Sequence, residues 1–147
     1  MSEGAPDRHP SIIPCLRFAD APAAIEWLCE AFGFEATLVV PGEEEGIIAH
    51  AQLMLGNGMI MLGSAGTHPG SAFDEVMRPP SELDGHCTQG AYVIVDDADA
   101  HHERALAAGA EILLELEDQG YGGRGYTCRD PQGHVWSFGT YDPWAGE

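Results

Sequence analysis

Two stretches of the chain decide its fold: RFADAPAAIEWLCEAFGFE at residues 17–35 and IVDDADAHHERALAAGAE at residues 94–111. In each, a short apolar segment runs into an aspartate, a helix-forming segment follows, and a glycine comes near its end. The matching positions are offset by 77, 76 and 75 residues: Asp20 with Asp97, Gly33 with Gly109, and Gly58 with Gly133. An offset that shrinks by single residues predicts two copies of one unit.

Working outward from these stretches, each copy is predicted to contain one strand, one helix and three further strands. Asp20 and Asp97 are suited to cap the helix N-termini, and Gly33 and Gly109 are suited to cap the C-termini. The first helix has apolar residues at helical spacing, and the second, at about 98–108, is less amphipathic. The strands are predicted near 11–18, 34–40, 46–55 and 58–63, and again near 90–95, 111–116, 123–129 and 134–140. The order β-α-β-β-β therefore occurs twice.

The organisation that follows is a single domain over residues 1–147, a length usual for one hydrophobic core. The first module covers about 11–63 and the second about 89–141. Residues 64–88 between them are rich in proline, glycine and serine. A connection this long predicts a functional flap or a mobile linker.

Charge and composition exclude several classes of function. The 147 residues include 24 acidic and 6 basic side chains, giving a formal net charge of −18, and every basic residue is arginine. Without lysine there is neither a Schiff-base nucleophile nor a P-loop phosphate site. The negative charge opposes binding to nucleic acid or to anionic membranes and favours cationic or neutral partners. No apolar run approaches the ~20 residues that a bilayer span needs, and no signal peptide is evident, so a cytoplasmic protein is expected.

The alternation of side chains along two strands separates a core face from a second face. In 46–55 the odd-numbered residues are all apolar, whereas His50, Gln52 and Met54 share the other face, where no charge occurs. In the last strand the aromatic residues fall on one face and Ser137 falls on the other, and Tyr92 belongs to the matching face of the fifth strand. We expect the aromatic and apolar faces to pack on the helices. The remaining faces are then expected to line a semi-polar pocket.

The closing segment YGGRGYTCRDPQGHVWSFG at 121–139, together with LRFAD at 16–20, resembles the vicinal oxygen chelate superfamily. The similarity extends over roughly 11–141 and is strongest to its glyoxalase/bleomycin resistance protein-like branch. It implies an α+β fold in which tandem βαβββ modules form curved mixed sheets around a pocket. The fold alone does not specify a function.

Metal-dependent members of the superfamily carry His, Gln or Glu at four equivalent strand positions. In this sequence those positions hold Ile13, Gln52, Gly90 and Ser137, so the resemblance implies an incomplete metal site and no metal cofactor. The alternative is a divalent metal held by His50 and Gln52 with His86. In that case the protein would be a glyoxalase I-like lyase or isomerase, an epimerase or a dioxygenase.

Two further motifs leave alternatives open. The glycine-rich segment 121–125 is either a hairpin loop whose glycines adopt positive φ, or a flexible pocket rim at which Tyr121 and Arg124 contact a ligand. His101 and His102 lie on the second predicted helix, where a solvated surface is the expected environment.

The function that this sequence favours is binding of a small molecule, and the resemblance implies a cationic antibiotic that the protein sequesters. Bleomycin resistance proteins, which the chain resembles, are small, acidic homodimers with clefts at the subunit interface, so a homodimer is expected. No catalytic residue is assigned, and enzymatic activity stays open. The expected ligand contacts are His50, Gln52, Met54, Tyr92, Tyr121, Arg124 and Ser137.

Overall fold

The computed structural model describes residues 9–67 and 70–145. Each half of the chain forms one strand, one helix and three strands, so the predicted β-α-β-β-β order is confirmed. The first half comprises β1 (Cys15–Phe18), α1 (Ala21–Phe32), β2 (Glu35–Pro41), β3 (Ile48–Leu55) and β4 (Gly58–Ser64). The second comprises β5 (Ala91–Ile94), α3 (Ala98–Ala107), β6 (Glu111–Asp118), β7 (Arg124–Arg129) and β8 (Val135–Gly139).

The two halves have the same sheet topology. The strand order is β1-β4-β3-β2 in one sheet and β5-β8-β7-β6 in the other. In each, the first strand is parallel to the last and the remaining pairs are antiparallel. The helix returns the chain so that the second strand runs in the direction of the first, and two antiparallel connections then reverse the direction twice. The predicted α+β fold of tandem mixed sheets is thereby confirmed.

Both helices begin at the predicted aspartates. The side chain of Asp20 accepts a hydrogen bond from the Ala23 amide, and that of Asp97 accepts one from the Ala100 amide. Each bond satisfies one of the amides that a helix N-terminus leaves without a partner. Gly33 ends α1 in the left-handed conformation, with a φ of 93°.

The helix-facing sides of the two sheets share one hydrophobic core. Phe32, at the end of α1, packs on Trp136 and Phe138 of β8, with ring centroids 5.4 and 4.6 Å apart. Leu53 of β3 and Cys128 of β7 are fully buried in the same cluster. Because both core faces are used here, the opposite faces are turned away from the core, and the sheets do not close around a common pocket within the chain.

The C-terminal end of α1 is held by side chains of the second module. Arg104 donates to the carbonyl oxygens of Glu30 (2.8 Å) and Cys29 (3.2 Å), and His101 Nε2 donates to that of Phe32 (2.9 Å). Carbonyls in the last turn of a helix run out of intrahelical donors, and that of Cys29 also accepts from the Gly33 amide. The expectation that His101 lies on a solvated surface is therefore wrong: the tertiary contact with α1 leaves it only partly exposed.

The N-terminal end of α1 is tied to the turn between β7 and β8. The side-chain amide of Gln132 accepts from the backbone N–H of Asp20 (2.9 Å) and donates to its carbonyl (2.7 Å). His134 Nε2 donates to the carbonyl oxygen of Arg17 at 2.7 Å. The two modules are thus joined by hydrogen bonds at both ends of α1 as well as by the core.

The connection between the modules contains a short helix, α2 (Ala72–Val76), and a 3-10 turn at Pro80–Glu82. No α2 residue is buried. Asp74 forms an ion pair with Arg17 at 3.3 Å, which attaches α2 to β1. Among the described residues, no helix is both long enough and apolar enough to cross a bilayer.

Candidate functional site

The open face of the second sheet forms a groove of about 250 Å³. Its floor is one row of residues in register across the four strands: Tyr92 of β5, Ser137 of β8, Thr127 of β7 and Leu114 of β6. The hydroxyl groups of Thr127 and Ser137 are 2.8 Å apart and share a hydrogen bond. The described lining comes entirely from residues 92–141.

Three tyrosines form one wall of this groove. The Tyr92 hydroxyl donates to the Tyr141 carbonyl oxygen at 2.7 Å, and the rings of Tyr121 and Tyr141 meet edge to face at 4.9 Å. Tyr92 and Tyr121 remain 44% and 66% exposed, so their rings are available to a ligand. Partial burial raises the pKa of Tyr92, with a smaller contribution from Tyr121, so Tyr92 stays a neutral hydrogen-bond donor at physiological pH.

Glycines determine how closely this wall approaches the sheet. A Cβ atom on Gly139 would lie 2.8 Å from the Tyr92 hydroxyl oxygen, so only glycine leaves room for that side chain. In the turn after β6, Gly122 and Gly123 have φ values of 122° and 78°, which confirms the predicted hairpin loop with positive φ. The same turn brings Tyr121 and Arg124 to the groove, so the two interpretations of the segment are compatible.

The electrostatics of the groove are predominantly negative. Arg124 contributes a positive charge, but its Nε lies 2.7 Å from an Asp99 carboxylate oxygen and its Nη1 lies 3.3 Å from one of Asp118. Hydrogen bonds to these two carboxylates raise the pKa of Arg124. Glu115 and Glu117 also line the groove, and no arginine among the described residues forms an ion pair with either of them there. A cation is therefore the charge that this surface favours.

The open face of the first sheet carries different chemistry. His50 Nε2 and Gln52 Oε1 lie 2.9 Å apart, so the two side chains predicted to share a face do so and are hydrogen-bonded. Gln52 pairs with Met61 across β3 and β4, and Met54 pairs with Met59. This face is a methionine-rich surface with one imidazole–amide pair.

The seven predicted contact residues therefore fall into two groups. Those of the second module line the groove together: Tyr92, Tyr121, Arg124 and Ser137. Those of the first module lie on the open face of the other sheet: His50, Gln52 and Met54. The shared core separates the two groups within one chain, since each open face is turned away from it.

The sequence prediction named four of the groove residues, and three of those that it did not include show why. Thr127 alternates with the buried Tyr126 and Cys128 along β7, so strand periodicity could have placed it on the open face. Leu114 lies next to a register shift in β6, which interrupts that alternation. Tyr141 follows the last strand, where periodicity does not define a face.

The four positions that hold metal in relatives do not provide a ligand set here. Ile13 and Gly90 have no donor atoms in their side chains, and Ser137 is engaged with Thr127. A divalent site needs three or four converging N, O or S donors. His86 lines another groove, where its Nδ1 lies 3.2 Å from the Leu83 carbonyl oxygen. Within residues 9–67 and 70–145, no three His, Cys, Asp or Glu side chains are placed to hold an ion.

Comparisons with known proteins agree with this architecture. A crystal structure of TioX from Micromonospora sp. ML1 is 32% identical and superposes with a TM-score of 0.66, covering 88% of this chain and 97% of that one. An uncharacterized protein of Mycobacterium bovis is 35% identical over 131 residues, which is 89% of this chain and 83% of the relative. Lactoylglutathione lyase from Agrobacterium tumefaciens, at 22% identity and a TM-score of 0.58 over 90% of this chain and 95% of its own, shares the fold.

The family relationship covers nearly the whole molecule. A sequence model described as the Glyoxalase/Bleomycin resistance protein/Dioxygenase superfamily matches residues 12–138, which include both long helices and all the strands except the last residue of β8. The chain therefore belongs to the glyoxalase/bleomycin resistance protein/dioxygenase superfamily, the vicinal oxygen chelate proteins.

Proposed function

We propose that this protein binds a cationic small molecule in the cytoplasm, without a complete metal site, and that it acts by sequestering an antibiotic. The observation that carries the proposal is the groove on the second sheet, where three tyrosine rings stand beside Glu115 and Glu117. Aromatic faces and carboxylates are the two groups that attract organic cations. The net charge of −18 adds long-range attraction for the same ligands.

The ligand site is proposed to be completed by a second copy of the chain. The groove of about 250 Å³ is smaller than the roughly 300–1,000 Å³ of typical ligand pockets. All of β2 is exposed, and Leu38, Val39 and Val40 on this edge strand are 40–43% accessible, which favours cover by another chain. In the homodimer we propose, the face that carries His50 and Gln52 in one protomer lies over the tyrosine groove of its partner.

Titration calorimetry at low salt against cationic glycopeptide antibiotics tests the proposal. We expect binding that weakens as salt is added, because exposed charges are screened. Tyr92→Ala should weaken it about tenfold, within the range of a desolvated cation–π contact. Trp144→Ala removes a 74% exposed aromatic ring outside the groove and should leave the affinity unchanged. Absence of binding to every such antibiotic at low salt would contradict the proposal.

Light scattering after size-exclusion chromatography tests the homodimer separately. A mass of twice 15.7 kDa is expected. A monomer that binds the antibiotic with full affinity would overturn the proposed subunit arrangement and leave the tyrosine groove as the binding site.

A second candidate function is supported by the His50–Gln52 pair, since an imidazole and an amide 2.9 Å apart could contribute two ligands of a rebuilt metal site. The protein would then be a metal-dependent glyoxalase, epimerase or dioxygenase. Elemental analysis of protein purified without an affinity tag distinguishes the two functions. Stoichiometric Ni, Zn, Fe or Mn would favour the enzyme.

A further inference from the structure

A second groove, of about 380 Å³, lies where the connection between the modules crosses the starts of β1 and β5. Its walls come from three parts of the chain that are far apart in sequence: residues 12–17, residues 76–91 and residues 134–136. Gln52 and Ser137 do not contribute to its lining. The groove is therefore separate from the tyrosine groove on the open face of the second sheet.

The charged side chains that line this groove differ in kind from those of the rest of the molecule. The chain has 24 acidic residues, yet no Asp or Glu lines the groove among the residues that the structure describes. Two of the six arginines and two histidines do line it: Arg17, Arg78, His86 and His134.

Arg17 lies at the back of the groove and is held in a buried ion pair. Its side chain is 7% exposed, its Nη1 donates to the Ser64 carbonyl oxygen at 3.2 Å, and its Nη2 pairs with Asp74 at 3.3 Å. The Phe73 ring lies 4.5 Å from the guanidinium carbon. Because the Asp74 carboxylate balances its charge, this guanidinium shapes the back of the groove and leaves the recognition of an anion to another residue.

Arg78 is the arginine available to a ligand. Its Nη1 lies 2.9 Å from Glu82, but the two side chains are 43% and 44% exposed, and exposed pairs of this kind contribute little free energy. An anion in the groove can therefore take the place of Glu82 at the guanidinium. Arginine presents paired N–H donors that match a carboxylate or a phosphate.

The remaining walls are apolar and open. Ile12, Val76 and Leu83 are 85%, 76% and 45% exposed, which is unusual for large aliphatic side chains that lie together. Ile13 and Met77 continue this surface into the groove. Burying an aliphatic chain against it would be favourable by about 25 cal/mol per Å² of apolar surface.

We propose that this groove binds an amphiphilic organic anion, with its carboxylate or phosphate head at Arg78 and its aliphatic body along Ile12, Val76 and Leu83. The inference goes beyond the proposed antibiotic binding, because it concerns a different surface and a ligand of opposite charge. The molecule would then carry two ligand sites of opposite sign.

Calorimetric titration with octanoate and with octyl phosphate tests this site, with 1-octanol as the uncharged analogue of the same chain length. One anion per chain should bind, and 1-octanol should bind at least about tenfold more weakly because it lacks the head-group charge. The two anions also show which head group is preferred. Equal binding of 1-octanol would overturn the anion site.

Two variants locate the binding. Arg78→Glu should weaken octanoate binding by about tenfold or more, because it replaces attraction by repulsion. Leu83→Asp should weaken octanoate binding to a similar extent, because it places a charged group in the apolar wall. Arg129→Glu makes the same charge change at an arginine that lines neither groove, and should leave the affinity unchanged. Equal losses in Arg78→Glu and Arg129→Glu would show that net charge alone is responsible and would overturn the proposal. Antibiotic binding measured on Arg78→Glu reports on the other groove independently.

Discussion

The open faces of the two sheets occupy the same place in two copies of one topology and yet carry different side chains. The row across the first sheet is Cys15, Met61, Gln52 and Leu38, and the corresponding row across the second is Tyr92, Ser137, Thr127 and Leu114. Only the last position has the same residue in both. The core faces, by contrast, are apolar in both sheets. The side chains of an open face do not pack in the core, so they can differ between the two modules without loss of the fold. A duplicated unit can therefore carry different binding residues on its two open faces.

The two helices differ in a similar way. Five residues of α1 are buried, two of them large, whereas only Ala98 and Ala105 are buried in α3. Helix α1 supplies apolar surface to both modules, and α3 supplies the side chains of His101 and Arg104 that hold the end of α1. The modules are thus equivalent in topology but unequal in what they contribute to stability.

The largest expected effect comes from removing the aromatic ring that α1 places on the second sheet. Phe32→Ala should lower the free energy of unfolding by about 3–5 kcal/mol, the usual cost of emptying an aromatic core position. Urea denaturation followed by tryptophan fluorescence measures it, and one transition should shift as a whole, because the core is shared. Phe73→Ala, at a 48% exposed ring, is the control and should cost about 1 kcal/mol or less. Two separate transitions, with only one of them shifted, would show that the modules are independent.

A matched pair of glycines sharpens the comparison of the open faces. Gly63 of β4 and Gly139 of β8 occupy equivalent positions in the two sheets. A Cβ on Gly63 would lie 2.7 Å from Arg17 Nη1, and a Cβ on Gly139 would lie 2.8 Å from the Tyr92 hydroxyl oxygen. Arg17 is buried and cannot move aside, so Gly63→Ala should destabilise by about 1–3 kcal/mol. Tyr92 is partly exposed and can rotate outward, so Gly139→Ala should cost less stability and instead weaken ligand binding.

Thermal unfolding and calorimetric titration of both glycine variants provide the measurements. Equal destabilisation by the two substitutions would contradict the difference in burial between the two open faces. Undiminished ligand binding by Gly139→Ala would contradict the role assigned to Tyr92.

A smaller effect is expected at the junction between the N-terminus of α1 and the second module. Gln132→Ala removes both hydrogen bonds to the Asp20 backbone and should cost about 1 kcal/mol, since the amide is partly exposed. Gln119→Ala is the matched control, because that side chain bonds only to the nearby Glu117 carbonyl among the described contacts. If both variants had the same stability in urea, the Gln132 amide would not be holding the modules together.

The smallest effect is a pH dependence from a single histidine. Burial lowers the pKa of His101 below its ordinary value of 6.5. Between that value and the lowered one, the unfolded chain binds a proton that the native protein does not, so stability falls as pH decreases through this window. Protonation would also turn the acceptor Nδ1, 2.7 Å from the Tyr126 hydroxyl, into a donor.

Urea denaturation at pH 7.5 and at pH 5.5 measures this contribution. His101→Gln should lose less stability than the unaltered protein over that interval, because it lacks the titrating imidazole. An identical loss in the two proteins would assign the pH dependence to other groups.

Much of the fold could be predicted from the sequence because it depends on local rules. Asp20 and Asp97 were identified as helix caps, and alternation placed Trp136 on the core face and Ser137 opposite it, as the structure confirms. Four of the residues that line the groove were among the predicted ligand contacts, and strand alternation would also have placed Thr127 there. His101 was misassigned because a helix of low amphipathicity does not indicate which side a neighbouring helix will cover.

The sequence by itself determined which elements form and which face of each strand is apolar, because capping and side-chain alternation depend on residues close together in the chain. Only the tertiary structure decided that Phe32 of the first module packs on the second sheet, and that the two open faces point away from a shared core. It alone brought Arg17, Arg78 and His134 to one groove whose described lining contains no Asp or Glu. These arrangements join residues tens of positions apart, and they depend on the shape and volume of packed side chains, which no local pattern records.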